Sequence, residues 1–299
     1  MSRDSTYRLG TGPNGAGTSL RHMSEGNQAP YAFDTLLVTV DDHVATVVLN
    51  RPEAHNAFTA GMQRDCQALW KTIRADDDVR VVVLTGAGDQ AFCTGIDRNE
   101  PFTALDDTPA LYGTSNNFMY DDPGDWLGPK SNDLWKPVIG AVNGMACGGA
   151  FYFLGECDVL VAAEHATFFD PHVTYGMPAV YEPMKMLDRM PFGEVVRMSL
   201  TGNAERISAQ AALRMGLVTE VVAANDLADA AARLAASIAA NPPQAVQGTL
   251  RAIWAAQDLG RLGSRTMAAS ILSTATDKAA LLDGAAGFDS GDRPDSRIR

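Results

Sequence analysis

Between Thr35 and Ala162, short β-branched runs alternate with helical periods and glycine turns, and that alternation commits the chain to an α/β fold. Thr35–Val40 and Val44–Leu49 flank the polar Asp41-Asp42-His43, which predicts an antiparallel hairpin. Thr59 stands where a helix N-cap is needed, because Met62, Cys66, Leu69, Trp70 and Ile73 then recur at helical spacing as far as Asp76-Asp77-Asp78. The apolar strand Val79–Leu84 completes a β-β-α-β unit. A second unit opens with strand Pro137–Val142 and turns through the glycine-rich Asn143–Gly149. It continues as an apolar helix over Ala150–Gly155 and a strand over Val159–Ala162.

Around this core the chain divides by composition. Residues 1–30 are rich in Gly, Ser, Thr and Asn, lack an apolar signal region and read as a flexible leader. Residues 31–203 form the α/β core. Within them Arg98–Lys136, rich in Asp, Pro and Gly with scattered aromatics and no period, is expected to be a lid. Residues 204–288 are helical: Ser208 caps Ala209–Met215, Asp226 caps Leu227–Ala240, Asn241-Pro242-Pro243 breaks the run, and helices follow over about Gln244–Ala256 and Thr266–Leu282. The tail from Asp289 to Arg299 is expected to fray.

Charge and cysteine usage exclude several classes of function. The chain carries 24 Lys and Arg against 36 Asp and Glu, a formal charge of −12, and no basic stripe, so no nucleic-acid partner is expected. Its apolar stretches are broken well short of the roughly 18 residues a membrane helix needs, so no membrane span is expected. Cys66, Cys93, Cys147 and Cys157 form no CxxC pair and are expected to be reduced, in a cytoplasmic protein. His43, His55 and His165 have no metal-ligand spacing, and Asp106, Asp107, Asp121, Asp122 and Asp125 lack EF-hand spacing. No metal is expected, and the acidic cluster reads as part of a solvated lid. Gly10–Gly17 lacks the ending of a phosphate loop.

Two segments would expose backbone N–H groups: Ala91-Phe92-Cys93-Thr94-Gly95-Ile96-Asp97 and Gly144–Gly149, each following a strand. Small residues let a ligand approach the main chain, and a glycine turn opening a helix aims unpaired N–H groups at negative charge. Either turn alone is ordinary. Together they could hold one oxyanion.

These segments, with Asn50-Arg51-Pro52-Glu53-Ala54-His55-Asn56-Ala57 before them and Lys136–Gly144, Cys157-Asp158, Ala166-Thr167-Phe168, Ile207–Ala211 and Gly216-Leu217-Val218 in order after, resemble the crotonase (enoyl-CoA hydratase/isomerase) family over residues 35–288. The resemblance implies a spiral of ββα units with a C-terminal helical trimerisation region, assembled as a homotrimer or a dimer of trimers. It implies an acyl-CoA substrate, no cofactor besides the CoA that the substrate carries, and a thioester enolate held by the N–H groups of Ile96 and Gly149. Such preorganised donors contribute roughly 2.7–4 kcal/mol each. By position in the matched motifs, Ala54, Asp97, Arg98 and Gly148 would line the substrate groove.

The chain departs from the family where its hydratases carry two glutamates. Aligned without gaps, those positions hold Tyr152 and His172. A phenol with a pKa near 10 is a poor base, whereas an imidazole near 6.5 suits general acid–base work. His172 therefore reads either as the base or as a satisfied, partly buried histidine, with Asp170 and Glu182 as the nearest groups to orient it. Glu182 reads as a replacement carboxylate or as a helix-start residue, and Tyr152 as a hydrogen-bond donor or a packing residue. An enoyl-CoA hydratase or isomerase with a non-standard acid–base set is the leading expectation. The alternatives are a retro-Claisen hydrolase of a β-diketone that uses His172, and a non-catalytic acyl-CoA-binding protein.

Overall fold

The computed structural model describes residues 30–99, 122–290 and 296–298. The hairpin forms as the alternation predicts: β1 (Leu36–Asp41) runs antiparallel to β2 (Val44–Leu49), with Leu36 opposite Leu49. Asp42 and His43 make the turn, and their positive φ angles of 43° and 67° supply the twist a two-residue hairpin loop needs. In α1 (Ala60–Ala75) the Thr59 side chain accepts the Met62 N–H, the capping role expected of it. β3 (Val81–Gly86) begins two residues later than the apolar run suggests, because the Val79 N–H is still engaged by Asp76 in the turn that closes α1.

The remaining elements are β4 (Ala91–Cys93), α2 (Pro123–Leu127), β5 (Val138–Val142), β6 (Met145–Cys147), α3 (Ala150–Leu154), β7 (Val159–Ala163) and β8 (Thr167–Phe169). They are followed by α4 (Tyr181–Met186), α5 (Phe192–Thr201), β9 (Ile207–Ser208), α6 (Ala209–Met215), β10 (Glu220–Val222), α7 (Leu227–Ala239), α8 (Pro243–Ala275) and α9 (Lys278–Ser290). The strands form a six-stranded sheet in the order β1-β2-β3-β5-β7-β10 and a four-stranded sheet in the order β4-β6-β8-β9. From β2 to β10 the large sheet is parallel, and so is the small one from β4 to β8. The pairs β3/β4, β5/β6 and β7/β8 each send one strand into each sheet, and this makes the chain a spiral.

Both faces of the large sheet are covered, as parallel strands require. Val82, Leu84 and Val138 face α1 through Met62, Cys66, Leu69 and Trp70, all in one core. Val81, Val83, Ile139, Ala141 and Val161 face the alanine-rich α7 through Leu227, Ala230, Ala231 and Ala235. Two buried asparagines stitch the corners between the sheets. Asn143 accepts the Gly86 N–H and donates to the carbonyls of Gly86 and Gly88, and Asn56 donates to those of Ala87 and Ala91.

Several expectations need correction. The Asn143–Gly149 turn contains a strand, β6, which is too short to show a period. Much of the expected lid is core: residues 100–121 lie outside the described residues, but from Asp122 the chain is built in, with Leu127 and Leu134 fully buried. Asp122 is correspondingly not a solvated lid residue. It caps α2 in a capping box with Asp125, while Asp106, Asp107 and Asp121 fall outside the described residues. Asp226 makes no side-chain cap on α7, because residues 224–226 already form a 3-10 turn that enters the helix. The helix expected over Thr266–Leu282 is interrupted at Thr276-Asp277, α8 instead runs from Pro243 through a kink at Gly260 (φ 64°), and α9 continues to Ser290. All four cysteines are buried free thiols, and no described helix is long and apolar enough to cross a membrane.

Candidate active site

The small sheet organises the site. Its three parallel strands, β4, β6 and β8, leave from the same edge, and the segments that follow their C-terminal ends are Thr94–Asp97, Gly148-Gly149 and Asp170–His172. Chemistry-bearing residues therefore arrive side by side although they lie far apart in sequence, the arrangement that places ligands at the carboxyl ends of parallel strands.

Ile96 pairs with Phe58 as an isolated parallel bridge: the Phe58 N–H donates to Gly95 and the Asp97 N–H donates to Phe58, both at 2.8 Å. Successive N–H groups along an extended strand point to opposite sides, so the Ile96 N–H faces away from this pairing. Gly149 is the N-cap residue of α3, where the helix leaves its first amides without intrahelical acceptors. Neither the Ile96 nor the Gly149 N–H donates to a described residue. The two segments touch: a Cβ on Gly95, whose φ is 83°, would come within 2.9 Å of the Gly149 nitrogen. A Cβ on Gly149 would meet the Phe58 ring at 2.5 Å, so glycine is required at 149 by close approach.

Tyr152, His172 and Glu182 converge beside this amide pair. His172 Cε1 would stand 3.5 Å from a methyl on Gly148. Its Nδ1 lies 2.7 Å from Asp170 Oδ1, which also accepts the His172 backbone N–H at 3.0 Å. The other ring nitrogen, Nε2, faces Glu182 Oε1 at 3.5 Å. Asp170 is fully buried, and its Oδ2 finds no partner among the described residues. The hydrogen bond to Asp170 raises the His172 pKa above the ordinary imidazole value; burial opposes it, and the charges of Asp170 and Glu182 add to it. Glu182 sits in the first turn of α4 and is also buried against His172, so its helix-start position and its place in the site coincide.

Tyr152, one turn into α3, donates from its hydroxyl to Asp122 Oδ2 at 3.1 Å. Burial, and then the neighbouring Glu182 and Asp122 carboxylates, push its pKa far upward, so the phenol is a donor and not a base. Asp122 is the group that sequence reasoning missed. Burial raises its carboxyl pKa, with Glu182 and Asp125 adding to the rise against the opposing hydrogen bonds from the Gly124 N–H and Tyr152. The signal was present in Asp122-Pro123-Gly124-Asp125, an N-cap, a proline at N1 and an acid at N3, which is a helix start and not a solvated loop.

Asp97 and Arg98 follow Ile96 directly, and most of the expected groove residues are already engaged within the chain. Asp97 is paired with Arg51 at 2.8 Å, and Arg51 also donates to the Ala57 carbonyl. The Ala54 N–H and carbonyl are used in the turn that follows Arg51. The Arg98 guanidinium stacks over the Tyr175 ring, 4.1 Å from its centroid.

A two-sheet spiral with paired main-chain amides at its strand ends defines the class of fold, and the comparisons with known proteins identify the family. The enoyl-CoA hydratase/isomerase pattern matches residues 39–290, so the chain belongs to that family, the crotonases. It is 38% identical over 221 residues to (E)-benzylidenesuccinyl-CoA hydratase of Thauera aromatica, covering 74% of this chain and 82% of that one. It is 31% identical to the short-chain-enoyl-CoA hydratase of Clostridium acetobutylicum, over 74% of this chain and 81% of that one. The crystal structure of an enoyl-CoA hydratase/isomerase from Mycobacterium paratuberculosis superposes with a TM-score of 0.76 at 34% identity, covering 90% of this chain and 100% of that one.

Proposed function

We propose that the protein adds water reversibly across the α,β double bond of an enoyl-CoA, with the thioester oxygen held by the N–H groups of Ile96 and Gly149. The observation that carries this reading is the placement of His172 between Asp170 and Glu182, beside the glycine pair that presents one of those amides. Negative charge developing on the thioester oxygen meets fixed donors, which need no reorganisation as it forms. Asp170 holds the imidazole so that Nε2 faces the site, and Nε2 and Glu182 together form a cradle for one water molecule. His172 takes the proton of that water as it attacks the β carbon, and Glu182 hands a proton to the α carbon. The hydratases among the relatives support this direction of chemistry, and the carboxylate at Glu182 stands in for the glutamates that the usual positions lack.

A second reading has one observation in its favour. A buried aspartate fixing a histidine activates water whatever the electrophile is, so a β-diketone in the same pocket would undergo carbon–carbon cleavage, with its enolate leaving group held at the same amides.

Crotonyl-CoA and an aryl-substituted enoyl-CoA should be titrated while both binding and loss of the conjugated thioester absorbance are followed. Turnover that falls by about 10²–10⁴ in His172→Ala, with KM nearly unchanged, supports the hydratase reading. Turnover of a cyclic β-diketone in place of the enoyl-CoA supports the second reading, and tight binding with no turnover of either returns the chain to a non-catalytic acyl-CoA binder.

A further inference from the structure

Arg98 brings a positive charge to the rim of the site that no described acid neutralises. The carboxylate beside it in sequence, Asp97, is taken by Arg51 at 2.8 Å and also accepts the Asn99 N–H. Asp170 and Glu182 both face His172. Among the described residues no carboxylate stands within ion-pair distance of Arg98, and its guanidinium lies instead over the Tyr175 ring. That ring is braced from a third segment. Asn203 donates from its side-chain amide to the Tyr175 hydroxyl at 3.2 Å, and its backbone N–H donates to the Thr174 hydroxyl at 2.9 Å. Gly202, with a φ of 58°, permits this approach, because a Cβ there would collide with the Thr174 side chain.

The brace fixes where the charge sits relative to the chemistry. His172–Tyr175 is a 3-10 turn, in which residues three apart eclipse, so Tyr175 stands on the same face as His172, about 6 Å along the turn. Ile96, Val173 and Met177, on or next to the segments that carry Arg98 and His172, expose apolar side chains. A ligand whose thioester oxygen meets the Ile96 N–H therefore finds apolar surface beyond His172 and then a guanidinium. We propose that Arg98, held by Tyr175, selects acyl-CoA thioesters whose acyl chain ends in a second carboxylate, three or so carbons beyond the β carbon. Tyr175 is the positioning residue for that contact. The phosphates of CoA are the other anionic oxygens such a ligand carries, but they lie at the far end of the pantetheine arm, away from the thioester that Ile96 and His172 flank. The assignment deepens the proposed acyl-CoA reading and rests on it.

Calorimetric titration with adipoyl-CoA and hexanoyl-CoA tests the selection without any turnover, because the two saturated thioesters have equal chain length and differ only in a terminal carboxylate against a methyl group. A charge-assisted contact should make adipoyl-CoA bind about 10-fold or more tightly than hexanoyl-CoA, whereas a carboxylate laid on apolar surface without a cation would bind more weakly. In Arg98→Gln the ratio of the two affinities should fall to one or below. Tyr175→Leu should lower the ratio several-fold, and Tyr175→Phe, which keeps the ring, should restore it. Equal weakening of both thioesters and of CoA itself in Arg98→Gln would make Arg98 a phosphate ligand and overturn the proposal, as would a native ratio near one. Turnover of the unsaturated pair, hex-2-enedioyl-CoA and hex-2-enoyl-CoA, separates the two readings. The binding preference without turnover of either overturns the hydratase reading alone, and turnover of both without a preference overturns the role of Arg98 alone.

Discussion

At the level of single residues, the two amides proposed to bind the thioester oxygen differ in what they tolerate. Ile96 supplies only its main chain and its side chain is open to solvent, so Ile96→Val should leave kcat within a few-fold of the parent. Gly149→Ala places a methyl against the Phe58 ring and must displace the amide or the ring. Loss of one such donor costs about 10²–10³ in kcat, and steady-state kinetics on the two variants, with circular dichroism to verify folding, checks the contrast. His172 gives a second test through proton linkage. Its pKa is raised in the folded state by Asp170, so that pair stabilises the fold at pH values below the unfolded imidazole value of about 6.5. The contribution is lost as pH rises through the raised folded value. Thermal melts of Asp170→Asn should therefore show their largest deficit at mildly acid pH and a smaller one in alkaline buffer, while NMR titration finds the His172 pKa lowered. A deficit independent of pH would mean that Asp170 acts only through the His172 backbone N–H.

Among the elements, the helix caps make a graded prediction. Thr59 and Ser208 accept backbone N–H groups of Met62 and Ala211, whereas Asp226 accepts none. Thr59→Ala and Ser208→Ala should each cost about 1 kcal/mol in denaturant unfolding, and Asp226→Ala measurably less. Elements that carry their own periodicity were legible in the sequence: the hairpin with its β-branched alternation, α1 with its spaced core residues, and the fully apolar β5 and β7. β4, β6 and β8 were not, because each has three residues and its hydrogen bonds go to strands distant in sequence. Asp122 was missed for the same reason in another form, since its hydrogen-bond partner Tyr152 lies 30 positions away and only the folded chain brings them together. The glycines of the site were legible because close approach leaves a mark in residue type, whereas the hydrogen bond between Asp122 and Tyr152 leaves none.

The whole molecule carries apolar residues on its outside that a lone chain would not favour. Leu262 and Leu272 on α8 are 81% and 70% exposed, and Phe192 and Leu200 on α5 are similarly open. Trp254 nevertheless anchors α8 to the core by donating to Asp158 at 2.7 Å, so these helices are held in place with an apolar face outward. We propose that copies of the chain assemble through this region, in line with the trimer that the family resemblance implies. Sedimentation equilibrium should give a trimer or hexamer, and Leu262→Glu combined with Leu272→Glu should shift it toward monomer. A parent chain that sediments as a monomer would sink this assignment.

The separation between main-chain donors and ionisable side chains also bears on how such a protein changes over generations. The amides of Ile96 and Gly149 are fixed by the backbone of one pair of strand ends, while His172, Asp122 and Glu182 are attached to other segments and Tyr152 follows Gly149 on α3. A laboratory selection for a new reaction could therefore randomise His172 and Glu182 and leave the glycine positions untouched. Productive variants from such a library should retain Gly95 and Gly149 almost without exception while sampling many combinations at the ionisable sites.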